Sequence, residues 1–372
     1  MRTAPTPPAG MPPPRRLRGA LAFAVTALAP EAALAHGGEG LIAGAAWFAW
    51  SLTPEISGPI LLILAVYARG AFRRRSVARP VSVVRHVLFT MGMLTLFLSL
   101  QSPIDPIGER LFLAHQIQHL LLRMIGPMLV VLARPQGVLV AGLPKRARRG
   151  VAAPLMKSGA LSSAYNVLTR PLVAFALFVL SLYVWQIPPV HNAALLNPLI
   201  HWAMHLTMLA AGFLFFAMVF SRRDLPSAPP HVLRILLLFA TIVTNILLGA
   251  ITVFKTTVLY TVYDIEGRLF GISPLTDEIA GGFILWVPAS MMIVIAIAIV
   301  FHDWNLMEEK RLRHGLGYAG PQCGPPATGD QRNEDRTFVL ASSKRLGLLL
   351  GLAALIMFSL AVGIGVFIVS FN

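Results

Sequence analysis

Two histidine pairs are the residues of this chain best suited to chemistry. Residues 111–124 read LFLAHQIQHLLLRM, with His115 four residues before His119; residues 197–208 read NPLIHWAMHLTM, with His201 four before His205. On a helix that spacing puts both imidazoles on one face, about one turn apart. Ionisable groups inside apolar segments are costly and usually face a bundle interior. Two such helices facing each other would offer four imidazoles, a donor set suited to a transition metal. Met204 and Met208 follow His201 at i+3 and i+7 on the same face. Thioethers select the soft cuprous ion, which tilts the expectation toward copper over zinc; methionine as a filler of core gaps is the alternative. Haem held by two axial imidazoles, with Arg123 serving a propionate, is a second chemistry open to these residues. Interfacial anchoring or helix–helix hydrogen bonding is the structural alternative.

Other polar residues surround the pairs. Asp105 and Glu109 lie in the short loop before His115 and read either as partners that hold the ligands or guide a cation, or as a solvated turn. Arg123, two turns below His115 on the same stripe, needs a carbonyl, a carboxylate or a propionate as partner. Glu55 is the one acid read as lying within an apolar segment, which leaves a proton-coupled transporter little to work with. The single cysteine, Cys323, excludes a disulfide framework or a thiol pair for metal relay. No phosphate-binding loop, nucleophile elbow or zinc-protease motif appears; an ion bound here and passed on by ligand exchange would make the chain no enzyme.

The elements that position these residues are membrane helices. The chain has 372 residues, 56% hydrophobic and 13% charged, where a soluble domain carries about 25% charged residues. This predicts an all-α polytopic membrane protein in contact with the lipid bilayer. Apolar spans fall at 49–68, 84–100, 111–133, 167–187, 198–220, 232–254, 279–301 and 346–371. The reading is a seven-span bundle within 36–305, a cytoplasmic linker over 306–345 and an extra C-terminal transmembrane helix over 346–372. Residues 1–35 read as a signal peptide, with a basic start, a short apolar run and an Ala33-Leu34-Ala35 cleavage site. Cleavage would leave His36 as a terminal chelating residue.

The net charge of +15 does not point to nucleic acid, because the basic residues cluster in alternate loops. Loops 69–85, 134–170, 221–234 and 302–345 hold 23 Lys and Arg, and the intervening loops hold three. That asymmetry puts the basic loops in the cytoplasm of a bacterial inner-membrane protein and the mature N-terminus in the periplasm. Both histidine pairs then lie near the outer face, whereas His86, His231, His302 and His314 flank the cytoplasmic ends. A repeat is also visible: Gln101-Ser-Pro103 precedes His115 as Gln186-Ile-Pro188 precedes His201, at separations of fourteen and fifteen residues.

The stretch from His115 through Leu121, with Gly126-Pro127 and Ala133-Arg134-Pro135, resembles the HMxQHLLL…P…GRP signature of the CtaG-like multi-span cytochrome c oxidase assembly factors. Ser102-Pro103-Ile104-Asp105 matches that family's SPID-type loop. Pro198-Leu199-Ile200-His201 with His205 resembles its second histidine helix, H-P-x-x-H-x-x-x-H, except that Asn197 stands where the family has the first histidine. The resemblance covers about residues 45–305 and implies a role in forming haem–copper oxidase, with copper delivery to a cytochrome c oxidase subunit as the implied task. A haem-binding protein and a copper importer remain the alternatives.

Overall fold

The computed structural model describes residues 43–75, 81–221 and 229–317, with side chains as far as residue 310. The expected leader 1–35, His36, the His314 side chain, Cys323, the linker beyond residue 317 and the C-terminal helix 346–372 lie outside the described residues. Within them the regular elements are helical: α1 (Pro54–Arg73), α2 (Val83–Gln101), α3 (Phe112–Ala133), α4 (Gly159–Leu168), α5 (Pro171–Gln186), α6 (Pro188–Leu196), α7 (Pro198–Val219), α8 (His231–Val253) and α9 (Pro274–Gly317). Six of these are long and apolar enough to cross a membrane, and α4 with α5, bent by 71°, makes a seventh if the two count as one span. The chain is a multi-pass membrane protein.

Prolines set several boundaries. Pro54 at the first turn, after the extended Thr53, starts α1 five residues later than the hydropathy run suggested. Pro171 starts α5 after the extended Arg170 and breaks it from α4, because the residue before a proline is pushed out of the helical region. Asn197 caps α7, its Oδ1 accepting from the backbone N–H of Leu199 at 2.9 Å and Ile200 at 3.3 Å, ahead of Pro198. α9 starts at Pro274 and runs to Gly317, so residues 306–317 prolong it instead of opening a linker.

The central helix α3 is the irregular one. Its five residues Leu121–Ile125 form a π turn starting two residues after His119 and ending before Gly126-Pro127. Pro127 has no N–H to offer the Arg123 carbonyl four residues back, and its ring crowds that oxygen, so the ladder changes register there. The carbonyl faces Gly212 of α7 across the interface, where a Cβ on Gly212 would overlap the oxygen. The helix ends at Arg134, which adopts a left-handed φ of 50° before Pro135. Arg85 of α2 donates to the terminal carbonyls of Ala133 and Arg134 at 2.8 and 2.7 Å.

Away from the histidines, α3, α5, α7, α8 and α9 enclose an apolar core that includes Met124, Phe178, Phe215, Phe216, Leu238 and Ile293. Phe178 and Phe215 stack at 4.2 Å between ring centroids. The outer faces of the bundle present Leu61, Leu62, Leu206, Phe239, Leu247 and Ile251, as a surface in contact with acyl chains requires.

Candidate metal centre

Close contact of α3 and α7 at Gly212 brings the two histidine helices together, one to two turns away along α3 and two to three along α7. Ring centroids of His115 and His201 lie 5.4 Å apart, His115 and His205 6.0 Å, and His119 and His205 5.7 Å. Within each pair the separations are 4.3 Å for His115–His119 and 4.5 Å for His201–His205. One ligand nitrogen from each of His115, His201 and His205 falls within 4.8 Å of the other two. Three nitrogens bound at 2.0–2.1 Å in a tetrahedral shell would sit roughly 3.3–3.4 Å apart. Side-chain rotation on the ångström scale would bring the three nitrogens to that spacing. His115, His119 and His205 are buried and His201 is half-buried.

A chain of hydrogen bonds fixes how His115 presents itself. The Trp185 carbonyl can only accept, so His191 Nδ1, 3.0 Å away, carries the proton. Burial holds the His191 imidazole down to about 4, so the ring is neutral at pH 7 and its Nε2 has a lone pair. That Nε2 accepts from the Tyr263 hydroxyl at 2.8 Å. The Tyr263 oxygen in turn accepts from His115 Nδ1–H at 2.9 Å. His115 Nε2 is left with its lone pair and no partner among the described residues. That atom is the one available to an ion.

The segment carrying Tyr260 and Tyr263 is pinned from below by α9. Glu278 accepts from the backbone N–H groups of Leu259 and Tyr260 at 3.0 and 2.9 Å and pairs with Lys255 and Arg268. Asp277 pairs with Arg268 at 2.5 Å and accepts from the backbone N–H groups of Phe112 and Leu113 at 2.8 and 2.9 Å. It thereby caps the start of α3, which has no cap of its own. This overturns the expectation about acids: Glu55 is exposed, while Asp277 and Glu278 are fully buried. In the sequence they sit just ahead of the expected span at 279–301 and look like ordinary loop acids.

The remaining expected residues fall around the centre without joining the trio. Asp105 accepts from Gln118 at 2.6 Å and from Ser51 at 3.4 Å. Burial pushes its carboxyl up to about 6 and that of Glu109 to about 8, the latter also raised by Asp105 and Glu266. Met204 and Met208 are fully buried in an apolar cluster with Leu182, Ala194 and Leu285. Arg123 meets a carbonyl: its Nη2 donates to Phe178 at 2.7 Å, with the guanidinium carbon 3.6 Å from the Phe178 ring centre. The glutamines of the repeat are both buried, but their roles differ. Gln101 accepts from Thr53 N–H and Ser57 Oγ, whereas Gln186 donates to Gln116 at 2.7 Å and accepts from Tyr260.

Among the protein-family models, the one for the cytochrome c oxidase caa3 assembly factor (Caa3_CtaG) matches residues 65–305. Uncharacterized proteins of Mycobacterium bovis and Mycobacterium tuberculosis are each 28% identical over 262 residues, covering 69% of this chain and 39% of theirs. One from Mycobacterium leprae is 24% identical over 268 residues, covering 70% of this chain and 40% of its own. The chain thus spans about two fifths of the length of these relatives. No solved structure gives a significant match. The matched region holds both histidine helices, the π turn and the α9 acids, and the chain belongs to the cytochrome c oxidase caa3 assembly factor family.

Proposed function

We propose that this protein holds a copper ion at the outer face of the bacterial inner membrane and passes it to a cytochrome c oxidase subunit during assembly. His115, His201 and His205 are the ligands, and His119 is the imidazole beside them that can join as the ion moves. Transfer proceeds by ligand exchange, with no bond of a substrate made or broken, so the role is not enzymatic. The orientation rests on the charge asymmetry of the loops, which sets the histidine end away from the cytoplasm.

The observation that carries this reading is the meeting of three imidazoles from two helices, with no carboxylate or thiolate among them. Neutral imidazole suits copper and other late transition ions and disfavours magnesium or calcium. Haem fits less well. The cavity beside His119 and Arg123 is about 10 Å³, and Arg123 already donates to a backbone carbonyl. A macrocycle would need the helices to part.

The test is metal analysis of purified full-length protein. We expect about one copper per chain in the wild type and loss of most of it in the His115→Ala/His201→Ala/His205→Ala variant. Full copper occupancy in a folded triple variant would refute the site, and a Soret band in the pure wild type would favour haem.

A further inference from the structure

Arg123 presents a different problem from the imidazole trio. Its side chain is 3% exposed, and only one of its groups, Nη2, is bonded to a neutral carbonyl. Its Nε has no partner, and Arg123 makes no ion pair among the described residues. A guanidinium keeps its proton, and a buried charge without a counter-charge is strongly disfavoured.

The cavity of about 10 Å³ beside it has room for one small particle. Its polar lining is Arg123, His119 and Gln116, and the rest is Leu, Met, Ile and Ala. Gln116 Oε1 is already taken by Gln186, which leaves its amide N–H groups unpartnered. Neither nitrogen of His119 has a partner among the described residues. The lining thus offers donors and a positive charge, and an occupant has to accept hydrogen bonds. A water would satisfy the donors and leave the charge; a single-atom anion satisfies both.

We propose that this cavity binds one small monovalent anion of the halide class, held by the Arg123 guanidinium with Gln116 and His119 as neutral donors. The site stands apart from the imidazole trio and does not depend on that trio binding copper. Its charge would also offset the repulsion that Arg123 exerts on a cation among His115, His201 and His205.

The experiment is thermal unfolding of the full-length protein in detergent, titrated from sodium gluconate to sodium chloride at constant ionic strength, then repeated with bromide. A saturable rise of about 2–4 °C for both halides, absent in Arg123→Met, is expected. Equal melting in gluconate and chloride would overturn the proposal, as would a halide response that persists in a folded Arg123→Met protein. Crystals of the wild type grown in bromide give a reading that needs no variant. An anomalous peak bounded by Arg123, His119 and Gln116 is expected, and a water there with no anomalous signal refutes the site.

Discussion

One hydroxyl, that of Tyr263, decides which nitrogen of His115 carries a proton. Tyr263→Phe keeps the ring packed against Phe112, His191 and Arg268 but removes both hydrogen bonds. His115 is then free to take either tautomer. We expect copper affinity to fall about 10–100-fold with the fold retained. In the metal-free protein, nitrogen NMR should show His115 protonated at Nδ1 in the wild type and mixed in the variant. An unchanged tautomer would contradict the relay, whatever the affinity does. Asp105 and Glu109 allow a second prediction, with a definite sign. Both hold their protons more tightly folded than unfolded, so no penalty exists below about pH 4, and it grows through about 6 for Asp105 and 8 for Glu109. Thermal stability in detergent should therefore drop between pH 5 and pH 8, and Asp105→Asn/Glu109→Gln should flatten that slope. The histidine pairs were legible because four residues are one helical turn. Tyr263 was not, lying 148 positions from His115 with only a tyrosine's ordinary interfacial look to mark it.

Among the elements, the contact of α3 with α7 sets the distance between the pairs. Gly212→Ala would drive a methyl into the Arg123 carbonyl and against the Pro127 ring, and neither can yield easily. The helices must separate. We expect a loss of about 1–3 kcal/mol of stability and weaker copper binding, although residue 212 touches no ligand. Gly281 plays the same part between α9 and α3, where a Cβ would strike the Phe112 ring. Wild-type copper affinity in Gly212→Ala would show that the crossing does not set the centre. Span positions were readable from hydropathy and proline, since Pro171 and Pro198 fix their helices wherever they occur. The π turn at Leu121–Ile125 was not legible, because a change of hydrogen-bond register leaves no period of its own in the sequence. Asn197, which stands where the resemblance expects a histidine, is occupied in capping α7 through the Leu199 and Ile200 N–H groups.

For the molecule as a whole, the uneven distribution of Lys and Arg predicts which end faces the cytoplasm. In a Cys323→Ser background, a cysteine at Ala193 should react with a membrane-impermeant thiol reagent in intact spheroplasts, and one at Lys157 should react only after lysis. The reverse pattern would place the imidazoles on the wrong side for delivery to an outward-facing oxidase subunit. Membrane character was legible from composition; of the eight expected spans the described residues hold six, or seven with α4 and α5 taken as one, and 346–371 lies outside them. The fastening of the outer segment to α9 was not, since it depends on acids and bases that look like ordinary loop charges until the chain is folded. That fastening has a consequence for the environment in which the protein works. Lys255, Arg268, Asp277 and Glu278 keep their side chains out of solvent, so mobile ions have little access to the pairs they form. Raising ionic strength with a salt that carries no halide, such as sodium gluconate, should then leave Tyr263 at the same height over the imidazoles and the grip on a metal unchanged.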